Sequence, residues 1–160
     1  MLQGISDGAS GTNKTLRLMR QLVQVGKRTP VVIETARQLT ANLPQKDYPG
    51  ESHALFRFVR DRIRYVRDPN GVEALARPET TLQLGSGDCD DKVILLCSLL
   101  ESIGHDTRLV AMKQDPRGPY CHVFAETKLG AGWCAMETTE PWPLGRSPAP
   151  FGTPRMTVYN

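Results

Sequence analysis

Cys89, His122 and Glu137 are the three residues of this chain whose types and order could turn a thiol into a nucleophile. Cys89 sits in Gly87-Asp88-Cys89-Asp90-Asp91, a glycine turn that places the cysteine where an apolar helix is expected to begin. Unpaired backbone N–H groups and the positive dipole end at a helix start favour the thiolate. The three flanking aspartates act against it, because like charges disfavour an anion. His122 can accept the thiol proton as base and return it to a leaving amine as acid. Glu137 would fix the imidazole tautomer and steady the imidazolium. Together these roles describe attack on an amide or peptide carbonyl through a thioester. The backbone N–H of Cys89 belongs in the oxyanion hole, beside the attacked carbonyl. Asp90 and Asp91 read most simply as stabilisers of the helix start, with recognition of a cationic substrate group as the second reading. Trp133 is expected to pack behind the His122 face, with substrate contact second. His53 and His105 have no comparable surroundings and read as surface or packing residues.

These side chains need a helix and a hairpin to position them. Asp88 is a suitable N-cap, Val93, Leu96, Cys97 and Leu100 supply an apolar helical face, and Gly104 follows the last turn as a stop. Cys97 is therefore a core residue. Three strand-like runs follow: Thr107 to Met112, Tyr120 to Leu129, and Trp133 to Thr138. Gly130-Ala131 suits a two-residue type II′ hairpin turn, which pairs Leu129 with Gly132. In that register His122 faces Thr139 and Glu137 faces Phe124. His122, Phe124, Trp133 and Glu137 then share one face, with His122 and Glu137 as diagonal neighbours. Glu140 falls on the other face, and a Cys121 to Cys134 disulfide is disfavoured.

The first half of the chain reads as helical. Residues 1 to 13 are rich in Gly, Ser, Thr and Asn and look extended or mobile. A helix over Lys14 to Lys27 carries Leu16, Met19, Leu22 and Val23, Pro30 stops it, and a second runs over about 31 to 39. A third, about Glu51 to Arg64, has Leu55, Phe56, Val59 and Ile63 on one side and Arg57, Arg60, Arg64 and Arg67 on the other. That arginine stripe reads as a solvated face, since Asp61 and Asp68 interrupt it and no aromatic platform accompanies it. Asp68-Pro69-Asn70-Gly71 reads as a turn, and Ala76 to Leu84 as an irregular approach to the cysteine. Five prolines between Pro141 and Pro154 predict an extended tail wrapping the surface.

With 160 residues, 39% hydrophobic and 23% charged, the chain has the composition of a soluble globular protein. A single domain over 1–160 is expected: a segment 1–13, a helical lead-in 14–48, a core 50–140 and a tail 141–160. The net charge of +3 is too small to call for nucleic acid. No basic leader with an apolar run and no stretch of membrane-spanning length is seen, so a cytoplasmic product, or one released without a standard signal, is expected. Cys89 and Cys97 stand about 12 Å apart on one helix and cannot pair. Without CxxC or a spaced Cys/His quartet no metal site is expected, no oxygen-ligand loop suggests calcium, and the chemistry needs no cofactor.

Three stretches resemble the transglutaminase-like superfamily: Gly87-Asp88-Cys89-Asp90-Asp91, Cys121-His122-Val123-Phe124-Ala125-Glu126, and Gly132-Trp133-Cys134-Ala135-Met136-Glu137-Thr138-Thr139. Ile63-Arg64-Tyr65 is similar to the segment preceding the core in many members, so the resemblance covers about residues 50 to 140. It implies an α+β, papain-like fold, with N-terminal helices and a nucleophile helix packed on an antiparallel sheet. Glu137-Thr138-Thr139 stands where the family commonly has Asp-Pro-Thr. Gln83, six residues before Cys89, resembles in placement the oxyanion-hole amide of papain-like proteases. Some phage and prophage members are similar over a longer span, which implies a possible virion or assembly partner. The reading is a cysteine peptidase or amidase acting on a protein or peptide substrate. Amine transfer to glutamine, and a non-catalytic assembly protein keeping the fold, are the alternatives. Hydrolysis is favoured because the chain has little material for a dedicated amine site.

Overall fold

The computed structural model describes residues 8–69, 74–149 and 151–159. Its centre is the helix Cys89–Ser102, in which every residue from Asp91 to Leu100 is buried. A helix apolar on all sides must be covered on all sides, and this one is. Helices Ala9–Gly26 (α1), Pro30–Thr40 (α2), Tyr48–Arg62 (α3) and Pro78–Leu84 (α4) pack against the central helix, α5, together with a sheet. No helix among the described residues is long and apolar enough to cross a membrane.

The helical lead-in follows its apolar spacing. Leu16, Met19 and Val23 of α1, Val32 and Ala36 of α2, and Leu55, Phe56 and Val59 of α3 are all buried on α5. Burying a side chain such as Phe56 contributes about 1.5–3 kcal/mol. Gly26 ends α1 where a Cβ would lie 2.4 Å from Pro78 Cγ and 2.6 Å from Ser98 Oγ, so only glycine lets α1, α4 and α5 meet there. Pro30 opens α2 at its first position, where its missing N–H costs nothing.

Three expectations are corrected. Helix α1 begins at Ala9, so residues 9–13 are helical rather than extended; residues 1–7 lie outside the described residues. The approach to the cysteine is helical: Pro78 begins α4, Gly85 closes it at φ 64°, and Leu82 packs on the core. Tertiary contact there overrides the weak propensity of Thr80 and Thr81. The tail is not extended throughout, because Arg155–Val158 forms a strand on the edge of Thr107–Met112 as soon as the prolines end at Pro154. Of the turn at 68–71, Asn70 and Gly71 lie outside the described residues.

Two sheets result. Arg64–Tyr65 (β1) and Ser86–Gly87 (β2) form a short parallel ladder that ties the end of α3 to the residues before Cys89. Thr107–Met112 (β3), His122–Leu129 (β4), Gly132–Met136 (β5) and Arg155–Val158 (β6) form an antiparallel sheet in the order β5-β4-β3-β6. The hairpin register is the expected one, with Leu129 opposite Gly132 and Ala125 opposite Met136. Gly130 has φ 59° and Ala131 does not share a positive φ, which identifies a type II′ turn. One face presents Leu109, Ala111, Val123, Ala125 and Met136 to the helices; the other carries Val110, Met112, Phe124 and Ala135, capped by Ala149. The architecture is α+β, with the helices packed around α5 and on an antiparallel sheet, as expected.

Candidate active site

The start of α5 is built by two aspartates that cap each other. Asp88 Oδ1 accepts the Asp91 N–H at 3.0 Å, and Asp91 Oδ2 accepts the Asp88 N–H at 3.4 Å. Asp91 Oδ1 also accepts the Ala76 N–H at 2.8 Å. A Cβ on Gly87 would lie 2.6 Å from Asp91 Cβ, which is why a glycine precedes the cap. Asp91 is 6% exposed and fully engaged, so the structure removes it from the substrate-contact reading and makes it a staple. Burial pushes the Asp88 carboxyl up to about 6, against the Asp91 N–H bond that holds it down.

Cys89 is the first residue of α5 and half-buried. Its thiol donates to Asp90 Oδ1 at 3.5 Å. Burial, then the charges of Asp90 and Asp88, push the thiol well above its ordinary range, while the Val123 N–H pulls the other way. The pull of the helix start toward the thiolate is thus opposed by desolvation and by the carboxylates of Asp90 and Asp88, the direction the flanking aspartates suggested. Cys97 is core as expected, with burial raising its thiol to about 12. All four cysteines are free.

The strand side behaves differently. His122 opens β4 opposite Met112, and Glu137 follows the last residue of β5. His122 Nε2 and Glu137 Oε2 are 2.5 Å apart. Glu137 Oε1 accepts both the N–H and the hydroxyl of Thr139, each at 2.7 Å. Burial opposes the charge on Glu137, but the His122 hydrogen bond and charge and both Thr139 donors outweigh it and hold the carboxyl below its usual range. An ionised carboxylate only accepts, so Nε2 carries the donated proton and, in the neutral ring, Nδ1 is the open acceptor. The Val123 N–H that faces the Cys89 sulfur belongs to the residue after His122, which brings thiol and imidazole to the same end of β4. No hydrogen bond joins Cys89 to His122 among the described residues.

Other expectations scatter. Gln83 is exposed on the last turn of α4 and makes no hydrogen bond among the described residues. Trp133 is corrected outright: it lies opposite Lys128, about 20 Å along the strand from His122, stacked with Arg108 at 4.4 Å and near Tyr159 at 6.4 Å. His53 is exposed, but His105 is no simple packing residue, since its ring lies 2.7 Å from Glu51 Oε2 and 3.3 Å from buried Ser52 Oγ. Arg57, Arg64 and Arg67 are exposed as expected. Arg60 instead pairs with Asp61, lies over Phe56 and donates to the Trp142 carbonyl at 2.8 Å. No cluster of three His, Cys, Asp or Glu side chains that could hold a metal occurs among the described residues.

Two neighbours of the site carried little sequence signal. Tyr65 of β1 is 47% exposed beside the thiol, its hydroxyl raised by partial burial and by the charges of Cys89, Asp88 and Asp90. Lys92, three residues after Cys89, is 1% exposed and donates from Nζ to the Ile63 carbonyl at 2.7 Å. A lone basic residue at the start of an otherwise apolar helix was the available clue.

Comparison with known proteins agrees with this fold. No curated protein matches the chain. A candidate protease from Parabacteroides distasonis has a similar structure, with a TM-score of 0.61 at 11% identity, over 78% of this chain and 26% of the other. A candidate cysteine protease from Cytophaga hutchinsonii is similar with a TM-score of 0.56 at 16% identity, over 81% of this chain and 46% of the other. At these identities the likeness is one of fold, and this chain spans less than half the length of either protein. Residues 33–138, which include Cys89, His122 and Glu137, match the transglutaminase-like superfamily. The chain belongs to the transglutaminase-like superfamily.

Proposed function

We propose that this protein is a cysteine hydrolase that cleaves an amide or peptide bond, with Cys89 as nucleophile, His122 as base and acid, and Glu137 as the orienting carboxylate. The observation that carries the reading is the ionised, buried Glu137 accepting a hydrogen bond from Nε2 of His122, at the strand end that meets the thiol. The resting thiol is neutral, so proton transfer accompanies attack. As Sγ bonds to the substrate carbonyl carbon, the thiol proton moves to His122 Nδ1, and the carbonyl π electrons pass to oxygen. The Cys89 N–H receives that oxyanion, with Gln83 as the second donor once its exposed amide swings in. Collapse expels the amine, which takes the proton from Nδ1 and leaves a thioester. Water, deprotonated by His122, then releases the acid and restores the thiol. An amine in place of water would give amide transfer by the same steps. Asp90, the thiol's own hydrogen-bond partner, is the residue placed to meet a cationic substrate group. The natural substrate is a protein or peptide, a virion component among the candidates.

The test is covalent trapping of the full chain with a mixture of peptide acyloxymethyl ketones, read by peptide mass spectrometry. Modification confined to Cys89 and slowed at least a hundredfold in His122→Ala is expected. Labelling at the rate of the urea-unfolded chain, indifferent to His122→Ala and Glu137→Ala, overturns the reading and leaves a protein that retains the fold for assembly.

A further inference from the structure

Helix α3 runs into a strand that is paired on one side only among the described residues. Arg64 and Val66 donate their N–H groups to the Gly85 and Gly87 carbonyls, at 2.9 and 3.0 Å, which commits one side of β1 to β2. The peptides are trans, and a trans peptide points its C=O opposite to its N–H, so the carbonyls of Ile63 and Tyr65 both point away from β2. The Ile63 carbonyl meets Lys92 Nζ at 2.7 Å, on the helix that bears Cys89. The Tyr65 carbonyl lies one step further along the same side, and neither it nor the Tyr65 N–H has a main-chain partner among the described residues. Tyr65 stands opposite Gly87, two residues before the nucleophile. An unpaired edge of this kind is a template for an added strand.

The side chains along this edge face solvent. Tyr65 and Val66 are two exposed large apolar groups in succession. Arg62, Arg64 and Arg67 are exposed around them and form no ion pair among the described residues. Arg60 differs, since Asp61 and the Trp142 carbonyl take its guanidinium. Asp68, the acid that follows, accepts the Ala74 N–H at 3.2 Å instead. Exposed apolar groups beside cations of one sign make a contact surface for an anionic partner. A second copy of this chain would bring the same arginines to the same edge, and like charges would hold it off. A peptide fits better than a nucleic acid, because an open N–H and C=O pair is matched by another main chain.

We propose that the open edge of β1 is the substrate-binding edge of the candidate site, and that it takes an extended peptide carrying acidic side chains. Tyr65 pairs with the peptide main chain, and Arg64 and Arg67 meet its carboxylates. This rests on Cys89 being the nucleophile. Strands β1 and β2 run parallel toward the start of α5, so a strand added to β1 leads a main-chain carbonyl to the thiol. Acidic residues along β1 and a cationic group at Asp90 are compatible, since the two contacts lie on different elements.

The experiment reads a ratio of rates. Two acyloxymethyl ketones of one tetrapeptide, bearing either glutamates or lysines before the reactive group, are given to the full chain, and labelling of Cys89 is followed by mass spectrometry. The glutamate reagent should label faster by about 3–10-fold at low salt. The ratio should fall to one or below when Arg64→Glu and Arg67→Glu are combined, and persist when Arg64→Lys and Arg67→Lys are combined. Both reagents meet the same thiol, so any change in Cys89 itself cancels. Stepwise N-methylation of the glutamate reagent should cost about tenfold at one amide and little at its neighbours, because alternate residues face the edge. A ratio near one in the native chain, a ratio that survives the paired glutamate substitutions, or indifference to N-methylation overturns the proposal. Oligothymidylate binding that depends on the same arginines, with no preference between the peptides, overturns it in favour of a nucleic acid. Should the thiol be inert, fluorescence anisotropy of the glutamate tetrapeptide amide decides. Binding weakened at least threefold by the paired glutamate substitutions supports the edge and removes the hydrolase reading alone, whereas absent or unaltered binding overturns the edge as well. A reactive thiol without the charge preference removes this inference alone.

Discussion

At the start of α5 the surroundings hold a proton on sulfur; at the open end of β4 they hold a negative charge on oxygen. Cys89 is half-buried between Asp88 and Asp90, and burial and both charges disfavour the thiolate. Glu137 is more deeply buried, yet three donated hydrogen bonds, one from His122 and two from Thr139, keep it ionised. The difference teaches that desolvation alone does not decide ionisation: the donors supplied with it do. The consequence for chemistry is a site that rests uncharged at sulfur and separates charge only when a carbonyl is present to receive the nucleophile.

Removing the strand side should have the largest effect. His122→Ala takes away the base from a thiol that cannot ionise by itself, and the acylation rate of Cys89 should fall by about 10²–10⁴. His122→Asn, which keeps a donor toward Glu137, should fall as far, showing that the loss is of the base and not of the fold. Stopped-flow trapping with a peptide ketone checks both. Glu137→Gln comes next. Its amide no longer enforces the Nε2–H tautomer, and a loss of about 10²-fold is expected in the same assay. Since the folded-state value of Glu137 lies below the unfolded one, its stabilising contribution is present above the unfolded value near 4.5 and is lost as pH falls through the folded value. Acid titration of the melting temperature should therefore be flatter in Glu137→Gln.

On the helix side the sign reverses. Asp90→Asn removes the larger of the two charges acting against the thiolate. Alkylation of Cys89 by iodoacetamide at fixed pH should accelerate by about 3–10-fold, and its pH midpoint should move down. A slower or unchanged rate would mean that the carboxylate does not set the protonation of the thiol, and the contrast between the two sides would fail.

The parts of this arrangement that were legible in the sequence are those written in local terms. The cap Asp88, the stop Gly104 and the alternation on either side of Gly130-Ala131 each act within a few residues, and they located α5 and the hairpin register that joins His122 to Glu137. What lay out of sight depends on contacts across the chain. Strand β6 exists because β3 offers a free edge, and α4 because Gly26 and Ser98 leave room for Pro78. Lys92 finds its partner 29 residues earlier, and His105 finds Glu51 54 residues earlier. At Cys89 the opposing aspartates were legible as neighbours, whereas the burial that leads the upward shift and the direction of the Asp90 side chain were not.

The smallest expected effect concerns the cap itself, where the helix needs the side chain of Asp88 but the site does not benefit from its charge. Its folded-state value of about 6 lies above an unfolded value near 3.8. The folded protein therefore binds the extra proton between those limits, so stability falls as pH rises from about 4 to 6 and is level above. Asparagine caps a helix about as well as aspartate and carries no charge. Asp88→Asn should thus leave the fold intact, remove that downward slope, and raise stability at pH 7 by about 1 kcal/mol or somewhat more. Asp88→Ala, which loses the cap, should cost about 1 kcal/mol instead. Urea unfolding at pH 5 and pH 7 separates the two. If Asp88→Asn is destabilised at pH 7, the charge of the carboxylate stabilises the start of α5 after all, and the upward shift of Asp88 must be given up.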